Sequence, residues 1–125
     1  MRVATRLPLD TSGLSFSSML RTPKFELIFS PEAVDHLAAI EPKYDRVIHQ
    51  AIDQQLRHNP QVETRNRKPL RQPAPFGSTW ELRCGPMNRF RVFYRIQIEQ
   101  QTVMILAVGT KDRERLRFDG KEYSP

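Results

Sequence analysis

Two neighbouring segments of the chain, residues 79–84 and 89–98, alternate between apolar and polar side chains with a period of two. This alternation is typical of strands that bury one face, and the stretch between them, which begins at Gly85, is short enough for a hairpin turn. Residues 102–108 follow as a nearly continuous apolar run, which is typical of a central strand covered on both faces. The three segments predict an antiparallel meander whose last strand ends at Gly109.

The segment before the meander predicts one strand and two helices. Residues 24–29 alternate like a strand, and Ser30 followed by Pro31 marks the N-terminus of a first helix. The apolar face of that helix is predicted to contain Val34, Leu37 and Ala38. Apolar residues recur at helical spacing over residues 43–58, which predicts a second helix. The order β-α-α-β-β-β predicts an α+β fold of two layers, with a mostly antiparallel sheet packed against a helix hairpin.

The length of 125 residues fits one domain, which we place at residues 24–118. Residues 1–23 have no sustained periodicity, so we expect a disordered arm; their Arg and Ser content also leaves open a transit peptide or an over-long reading frame. Residues 61–78 are predicted to be a long polar loop. Alternating charges over residues 111–117 indicate one helical turn, and we expect residues 119–125 to form a loose tail.

Composition argues against several classes of protein. No apolar run approaches the roughly 20 residues that a membrane helix needs. Cys84 is the only cysteine, so an intrachain disulfide is impossible and a reducing, cytoplasmic setting is expected. The histidines do not have ligand spacing relative to Cys84, so we expect no metal site.

The excess positive charge of the chain is concentrated in residues 61–95. This window holds eight basic and two acidic residues, a difference that equals the formal net charge of +6 of the whole protein. The rest of the chain has 12 basic and 12 acidic residues. Charge concentrated on one loop and its adjoining strands indicates a polyanion partner more strongly than charge spread evenly; the alternative is an ordinary solvated surface.

The period of the strands places several of these charges on one face of the sheet. If Leu82 and Val92 face the helices, then the arginines at positions 83, 91 and 95 project from the opposite face. Arg83 and Arg91 then come within reach of one phosphate, unless neighbouring acids pair with them. Such a surface suits an RNA backbone, and an aromatic ring on it suits base stacking. The predicted RNA-contacting side chains are Arg65, Arg67, Lys68, Arg71, Arg89, Phe93, Arg95 and Arg113.

Cleavage of RNA through its own 2′-hydroxyl requires a proton acceptor, a proton donor and charge stabilisation on the phosphate. Arg83, Arg91 and Lys111 are candidates for the last role. Glu81 is the only carboxylate on the predicted basic face and is a candidate base, with a cross-strand salt bridge as its competing role. The histidines all fall in the predicted helices, where a surface or packing role is expected.

Five short segments carry a resemblance to a known family. They are residues 67–70 (RKPL), 80–83 (WELR), 89–94 (RFRVFY), 105–109 (ILAVG) and 111–113 (KDR). In this order they resemble the RelE/ParE superfamily of toxins from type II toxin–antitoxin systems. The resemblance covers residues 24 to about 118 and implies a toxin that a cognate, acidic antitoxin inhibits by covering its basic surface.

RelE-like members of the superfamily cut mRNA in the ribosomal A site and need no metal or cofactor. The resemblance therefore implies an mRNA endoribonuclease in which Arg83 and Arg91 stabilise phosphate charge and Lys111 assists, whereas Glu81 stands where the pattern has another basic residue. The RelE-like tyrosine or histidine near the C-terminus is missing from residues 115–118. Two alternatives stay open: a ParE-like toxin that poisons DNA gyrase, and a member that binds RNA or the ribosome without cutting.

Overall fold

The computed structural model describes residues 24–124, which form one seven-stranded sheet and two helices. The strands are β1 (Glu26–Phe29), β2 (Arg67–Pro69), β3 (Trp80–Cys84), β4 (Phe90–Gln97), β5 (Thr102–Asp112), β6 (Arg115–Phe118) and β7 (Lys121–Glu122). The helices are α1 (Pro31–Ala39) and α2 (Asp45–Leu56). The segment predicted to be a disordered arm, residues 1–23, lies outside the described residues.

The sheet runs in the order β2-β3-β4-β5-β6-β7, with antiparallel neighbours throughout, and β1 pairs with β5 in parallel. The predicted α+β class and mostly antiparallel sheet are confirmed. Each helix packs on the sheet, α1 against β5 and α2 against β3. No helix within residues 24–124 is both long enough and apolar enough to cross a membrane.

Helix α1 begins as the sequence predicted, but it buries a different face. The Ser30 Oγ accepts a hydrogen bond from the Ala33 N–H at 3.0 Å and donates one to the Leu106 carbonyl at 3.1 Å. These bonds fix the rotation of the helix against β5, so that Ala33 and His36 point inward. Of the three residues predicted to face the core, Leu37 packs against it, whereas Val34 is 53% exposed and Ala38 is also exposed.

Helix α2 is shorter at both ends than the predicted span of residues 43–58. A 3₁₀ turn over Pro42–Tyr44 precedes it. The apolar periodicity correctly identified its buried residues, which are Ile48, Ile52 and Leu56. These side chains belong to the main core between the helices and the sheet.

The main core also contains Tyr94, whose side chain is fully buried. Its hydroxyl donates a hydrogen bond to the Pro60 carbonyl at 2.8 Å, so the polar end of the ring is satisfied where the chain leaves α2. Burial raises the pKa of this phenol above its ordinary value. Beyond Pro60, the segment predicted to be loop, residues 61–78, contains the short edge strand β2.

Strand β5 continues three residues beyond Gly109, which was predicted to end it. A Cβ on Gly109 would lie 2.9 Å from Cε1 of Phe118 and 3.0 Å from the Arg117 carbonyl oxygen. The glycine therefore lets the following hairpin pack closely on β5, and it does not break the strand. Close approach of two backbones is one of the physical reasons for glycine inside a strand.

A one-residue irregularity divides β5 into two halves. Phe93 pairs with Ala107, whereas Tyr94 pairs with Ile105, so Leu106 is an extra residue on β5. Because of the extra residue, the side chains that face the helices are odd-numbered before it and even-numbered after it. Val103 and Ile105 face the helices before the irregularity, and Val108 faces them after it. Ala107 and the residues that alternate with it beyond the irregularity face the other side.

Strands β6 and β7 form a C-terminal hairpin that the sequence did not predict. Residues 111–117 are strand and turn, so the predicted helical turn is wrong. The predicted loose tail is also wrong, since β7 pairs with β6 and the Tyr123 N–H donates to the Leu116 carbonyl at 2.7 Å. The hairpin is held by Phe118, which is 7% exposed and packs on Phe93 in a second apolar cluster.

Candidate nucleic-acid interface

Arg83 and Arg91 lie directly opposite each other on β3 and β4, as predicted. Glu81 lies two residues before Arg83 on the same face, and its carboxylate contacts both guanidinium groups. The Arg83 Nε is 3.2 Å from Oε1, and the Arg91 Nη1 is 3.4 Å from Oε2. We call these three residues the arginine–glutamate cluster.

The arginine–glutamate cluster carries a net charge of about +1 because one carboxylate offsets one of two guanidinium groups. The Glu81 and Arg91 side chains are only 11% and 13% exposed, whereas Arg83 is 39% exposed. Glu81 thus forms the cross-strand salt bridge that was the alternative to its predicted role as a base. Each guanidinium has five N–H donors, and the cluster uses only some of them, which leaves Arg83 in particular able to bind a phosphate oxygen.

Two further cations lie on the same face of the sheet, one beside this cluster and one at the other end of β4. Gly109 pairs with Arg91, and Lys111 follows two residues later on the same face of β5. The Lys111 side chain is half-buried. Arg95 is exposed at the other end of β4, where its Nη2 donates to the Gly77 carbonyl at 2.7 Å. The arginine–glutamate cluster, Lys111 and Arg95 therefore lie on the sheet face opposite the helices, with the apolar cluster around Phe93 between Arg91 and Arg95; we call these cations the cationic strip.

Two predicted RNA contacts are corrected by burial. Arg67 is only 9% exposed and donates to the Val62 carbonyl, the Gln55 carbonyl and the Gln55 Oε1 at 2.8 to 2.9 Å. It ties β2 to α2 and cannot also bind RNA. Phe93 is 2% exposed beneath Phe118, so its ring is not available for base stacking. The sequence signal that could have identified this second cluster was the apolar pair Leu116 and Phe118 at strand spacing.

The position of Arg89 also differs from the prediction, which counted its side chain among the RNA contacts. Its guanidinium carbon lies 5.8 Å from the centre of the Tyr44 ring, and its Nε lies 3.9 Å from Asp112. It lines a cavity at the end of α1 and does not join the arginine–glutamate cluster. The remaining predicted contacts stay accessible: Lys68 pairs loosely with Glu63 at 3.5 Å. Arg65, Arg71 and Arg113 are exposed as well.

The groups that transfer protons in other enzymes lie away from the cluster or are buried. His36 is 7% exposed, and its Nδ1 accepts a hydrogen bond from the Val108 N–H at 3.2 Å. Burial lowers the pKa of His36, which favours the neutral ring. Burial also raises the pKa of the Cys84 thiol to about 11. Within residues 24–124, no group of three His, Cys, Asp or Glu side chains is placed to hold a metal ion.

Comparison with known proteins gives two matches of different kinds. The family model of the ParE toxin of type II toxin–antitoxin systems, parDE, matches residues 27–115. Among solved structures, the chain is similar to the crystal structure of the toxin–antitoxin complex RelBE2 from Mycobacterium tuberculosis. The TM-score is 0.59 at 26% sequence identity, over 73% of this chain and 95% of that one. No curated protein sequence matches the chain significantly.

Proposed function

This chain belongs to the ParE toxin family of type II toxin–antitoxin systems, and from that premise we propose that it is an mRNA endoribonuclease that inhibits translation on the ribosome. The observation that carries the proposal is the arginine–glutamate cluster. It combines two guanidinium groups, which are suited to binding phosphate, with one carboxylate on the sheet face opposite the helices. Charge stabilisation and proton acceptance are two of the functions that cleavage through a 2′-hydroxyl requires.

In the proposed mechanism, the guanidinium groups of Arg83 and Arg91 bind the scissile phosphate. A phosphate competes with the Glu81 carboxylate for the same N–H donors, because both are anions that accept charge-assisted hydrogen bonds. Binding of RNA therefore frees Glu81 beside the bound nucleotide, where it accepts the proton of the attacking 2′-hydroxyl. The 2′-oxygen bonds to phosphorus as the P–O5′ bond breaks, and the leaving 5′-oxygen takes a proton from solvent water. Lys111 adds positive charge to the same face, and Lys68 contacts the RNA farther along.

The proposed partners are the mRNA on a cytoplasmic ribosome and a cognate antitoxin. The solved relative is a complex of a toxin with an antitoxin. For this chain we propose an acidic antitoxin segment that lies along the cationic strip, since opposite charges on the two surfaces favour association. Such a segment would compete directly with RNA.

Arg91→Ala tests the nuclease proposal. In a translating extract, the wild-type chain should cut mRNA and Arg91→Ala should not. Arg46→Ala, which removes an exposed arginine of α2 on the other side of the fold, should cut like wild type. A circular dichroism melt of each variant separates lost chemistry from lost folding. Cleavage that survives in a folded Arg91→Ala protein would rule out this mechanism.

A second function, inhibition of DNA gyrase without cleavage, is favoured by one observation. No histidine within residues 24–124 lies on the basic face: His36 and His49 are in the helices and His58 follows α2. The nearest tyrosine to the C-terminus, Tyr123, packs its ring against Phe118 at 5.7 Å. The cluster therefore lacks an evident donor for the leaving oxygen. Intact mRNA combined with stalled gyrase supercoiling would support this second function.

A further inference from the structure

The turn between β3 and β4 presents a methionine entirely to solvent. Met87 is 99% exposed, whereas the next most exposed large apolar side chain, Ile98, is 56% exposed. A single exposed apolar residue is common on protein surfaces and has no meaning by itself. Two further features distinguish Met87: the conformation of the turn that carries it, and the cations that lie nearby.

Met87 is held in place by a strained backbone. Its φ is 56°, a left-handed conformation that long side chains rarely adopt, and the next residue, Asn88, has a φ of 53°, which asparagine adopts more readily. Hydrogen bonds of 3.0 Å close the turn, from the Asn88 N–H to the Gly85 carbonyl and from the Arg89 N–H to the Pro86 carbonyl. Strain that is maintained in this way clusters at ligand-binding sites.

The same turn is joined to the arginine–glutamate cluster. The Arg91 Nε donates to the Asn88 carbonyl at 3.1 Å, so the guanidinium that contacts Glu81 also anchors the turn. The position of the methionine is therefore fixed relative to the proposed phosphate site.

A second cation lies at the same end of the sheet. Phe90, the first residue of β4, pairs with Thr110 near the end of β5. The β5–β6 turn is therefore a neighbour of the β3–β4 turn, and it presents Arg113, an exposed residue with φ of 58°. The apolar tip thus lies near the guanidinium groups of Arg91 and Arg113, which are chemically suited to binding phosphate.

We propose that Met87 is a wedge that inserts between adjacent bases of single-stranded RNA while the neighbouring arginines hold its backbone; this rests on RNA being the target, as in the proposed function. In DNA duplexes, apolar side chains that enter a base step from the minor groove partly unstack it, and methionine is among the residues used for this purpose. Its polarisable sulfur contacts aromatic rings favourably. The wedge presents one nucleotide, unstacked, to the arginine–glutamate cluster.

The test uses the full chain and a short single-stranded RNA that carries 2-aminopurine, whose fluorescence rises on unstacking. Wild type should bind and raise the fluorescence. Met87→Ala should bind about 10-fold more weakly and leave the fluorescence unchanged. Met87→Leu should restore most of both effects, because it keeps an apolar side chain of similar length. Ile98→Ala is the matched control, since it truncates an exposed apolar residue on the opposite hairpin, and should match wild type.

The outcomes separate this inference from the proposed nuclease activity. If wild type raises the fluorescence and Met87→Ala does not, the wedge holds whether or not RNA is cut. If both proteins bind and unstack the RNA equally, the wedge is wrong even where cleavage is observed. If wild type does not bind this RNA, the wedge fails, whereas the nuclease proposal is still decided by mRNA cleavage in the translating extract; weaker gyrase inhibition by Met87→Ala would then assign the tip to a protein surface.

Discussion

The carboxylate of Glu81 and the guanidinium of Arg91 meet at 3.4 Å across two antiparallel strands, and each side chain is less than one-seventh exposed. In such a setting, removal of one partner is costly because it leaves the other charge desolvated and unpaired. The same carboxylate also contacts Arg83, so it lowers the positive charge that the face offers to a ligand. Glu81 therefore stabilises the fold but weakens the binding of an anion to this face.

Glu81→Gln is expected to change stability and anion binding in opposite directions. It should lower the free energy of unfolding by about 2 kcal/mol, since it weakens two charge-assisted hydrogen bonds. It should also tighten binding to single-stranded RNA at low salt, because the cluster gains one positive charge. Denaturant melts and salt titrations measure the two effects. Glu63→Gln, which changes an exposed partner of Lys68, should lose much less stability; unchanged stability in Glu81→Gln would contradict a structural salt bridge.

Arg67 and Arg65 are two residues apart, yet they are expected to respond to truncation in opposite ways. Arg67→Ala removes two hydrogen bonds to Gln55 of α2 and one to Val62 in the segment that follows the helix, and it should cost about 3 kcal/mol of stability. Arg65→Ala removes an exposed charge and should leave stability near that of wild type while it reduces the salt dependence of RNA binding. Chemical denaturation and binding titrations at several salt concentrations measure both; a stable Arg67→Ala protein would contradict the assignment.

His36 is expected to make stability depend on pH. Burial lowers the pKa of the imidazole below its ordinary value of 6.5, and the nearby carboxylates of Asp119, Asp35 and Glu32 oppose this shift only in part. Below pH 6.5 the unfolded chain therefore binds more protons than the folded chain, so the unfolding free energy is highest above that pH and falls as the pH decreases. Protonation also removes the acceptor for the Val108 N–H.

Urea melts between pH 7.5 and 5.5 measure this dependence. His36→Asn keeps an oxygen acceptor near the position of Nδ1 but does not titrate, so its stability should change less over this range than that of wild type. His49→Gln removes a histidine whose side chain is 48% exposed and should retain the wild-type dependence. Equal slopes in wild type and His36→Asn would show that His36 is not the group responsible.

Cys84 is expected to be inert in the folded protein. The thiol is 6% exposed, and burial raises its pKa to about 11, so almost no thiolate is present at neutral pH. Iodoacetamide at pH 7.5 should modify the chain in urea and leave the native protein unmodified, as mass spectrometry can measure. Because the chain has one cysteine, a rapid gain of one adduct under native conditions would directly contradict this.

The sequence was sufficient to predict the meander because apolar and polar side chains alternate along a strand that buries one face. The register of Arg83 opposite Arg91 followed from that alternation and a short turn. The same rule failed for Phe93, since alternation distinguishes the two faces of a strand but does not say whether the second face is covered. Here the C-terminal hairpin covers it with Phe118.

The count of charges in residues 61–95 also predicted an exposed position correctly for some residues and wrongly for others. Arg67 and Arg95 have the same side chain, and the count of charges treats them alike. One is buried with its donors satisfied by Gln55 and Val62, and the other is exposed. The contacts that separate them come from parts of the chain that only the tertiary fold brings together.

The phase of β5 beyond its extra residue, Leu106, decides which side chains of the strand lie on the face of the arginine–glutamate cluster. Deletion of Leu106 would leave Ala107 opposite Phe93 and Lys111 on its present face, whereas insertion of one residue between Val108 and Gly109 would shift the rest of the strand by one position. Lys111 would then turn toward the helices, and Thr110 would take its place beside the arginine–glutamate cluster. Two chains of nearly identical composition and charge would thus present different surfaces, so insertions in β5 beyond Leu106 are expected to alter target recognition more severely than most substitutions there.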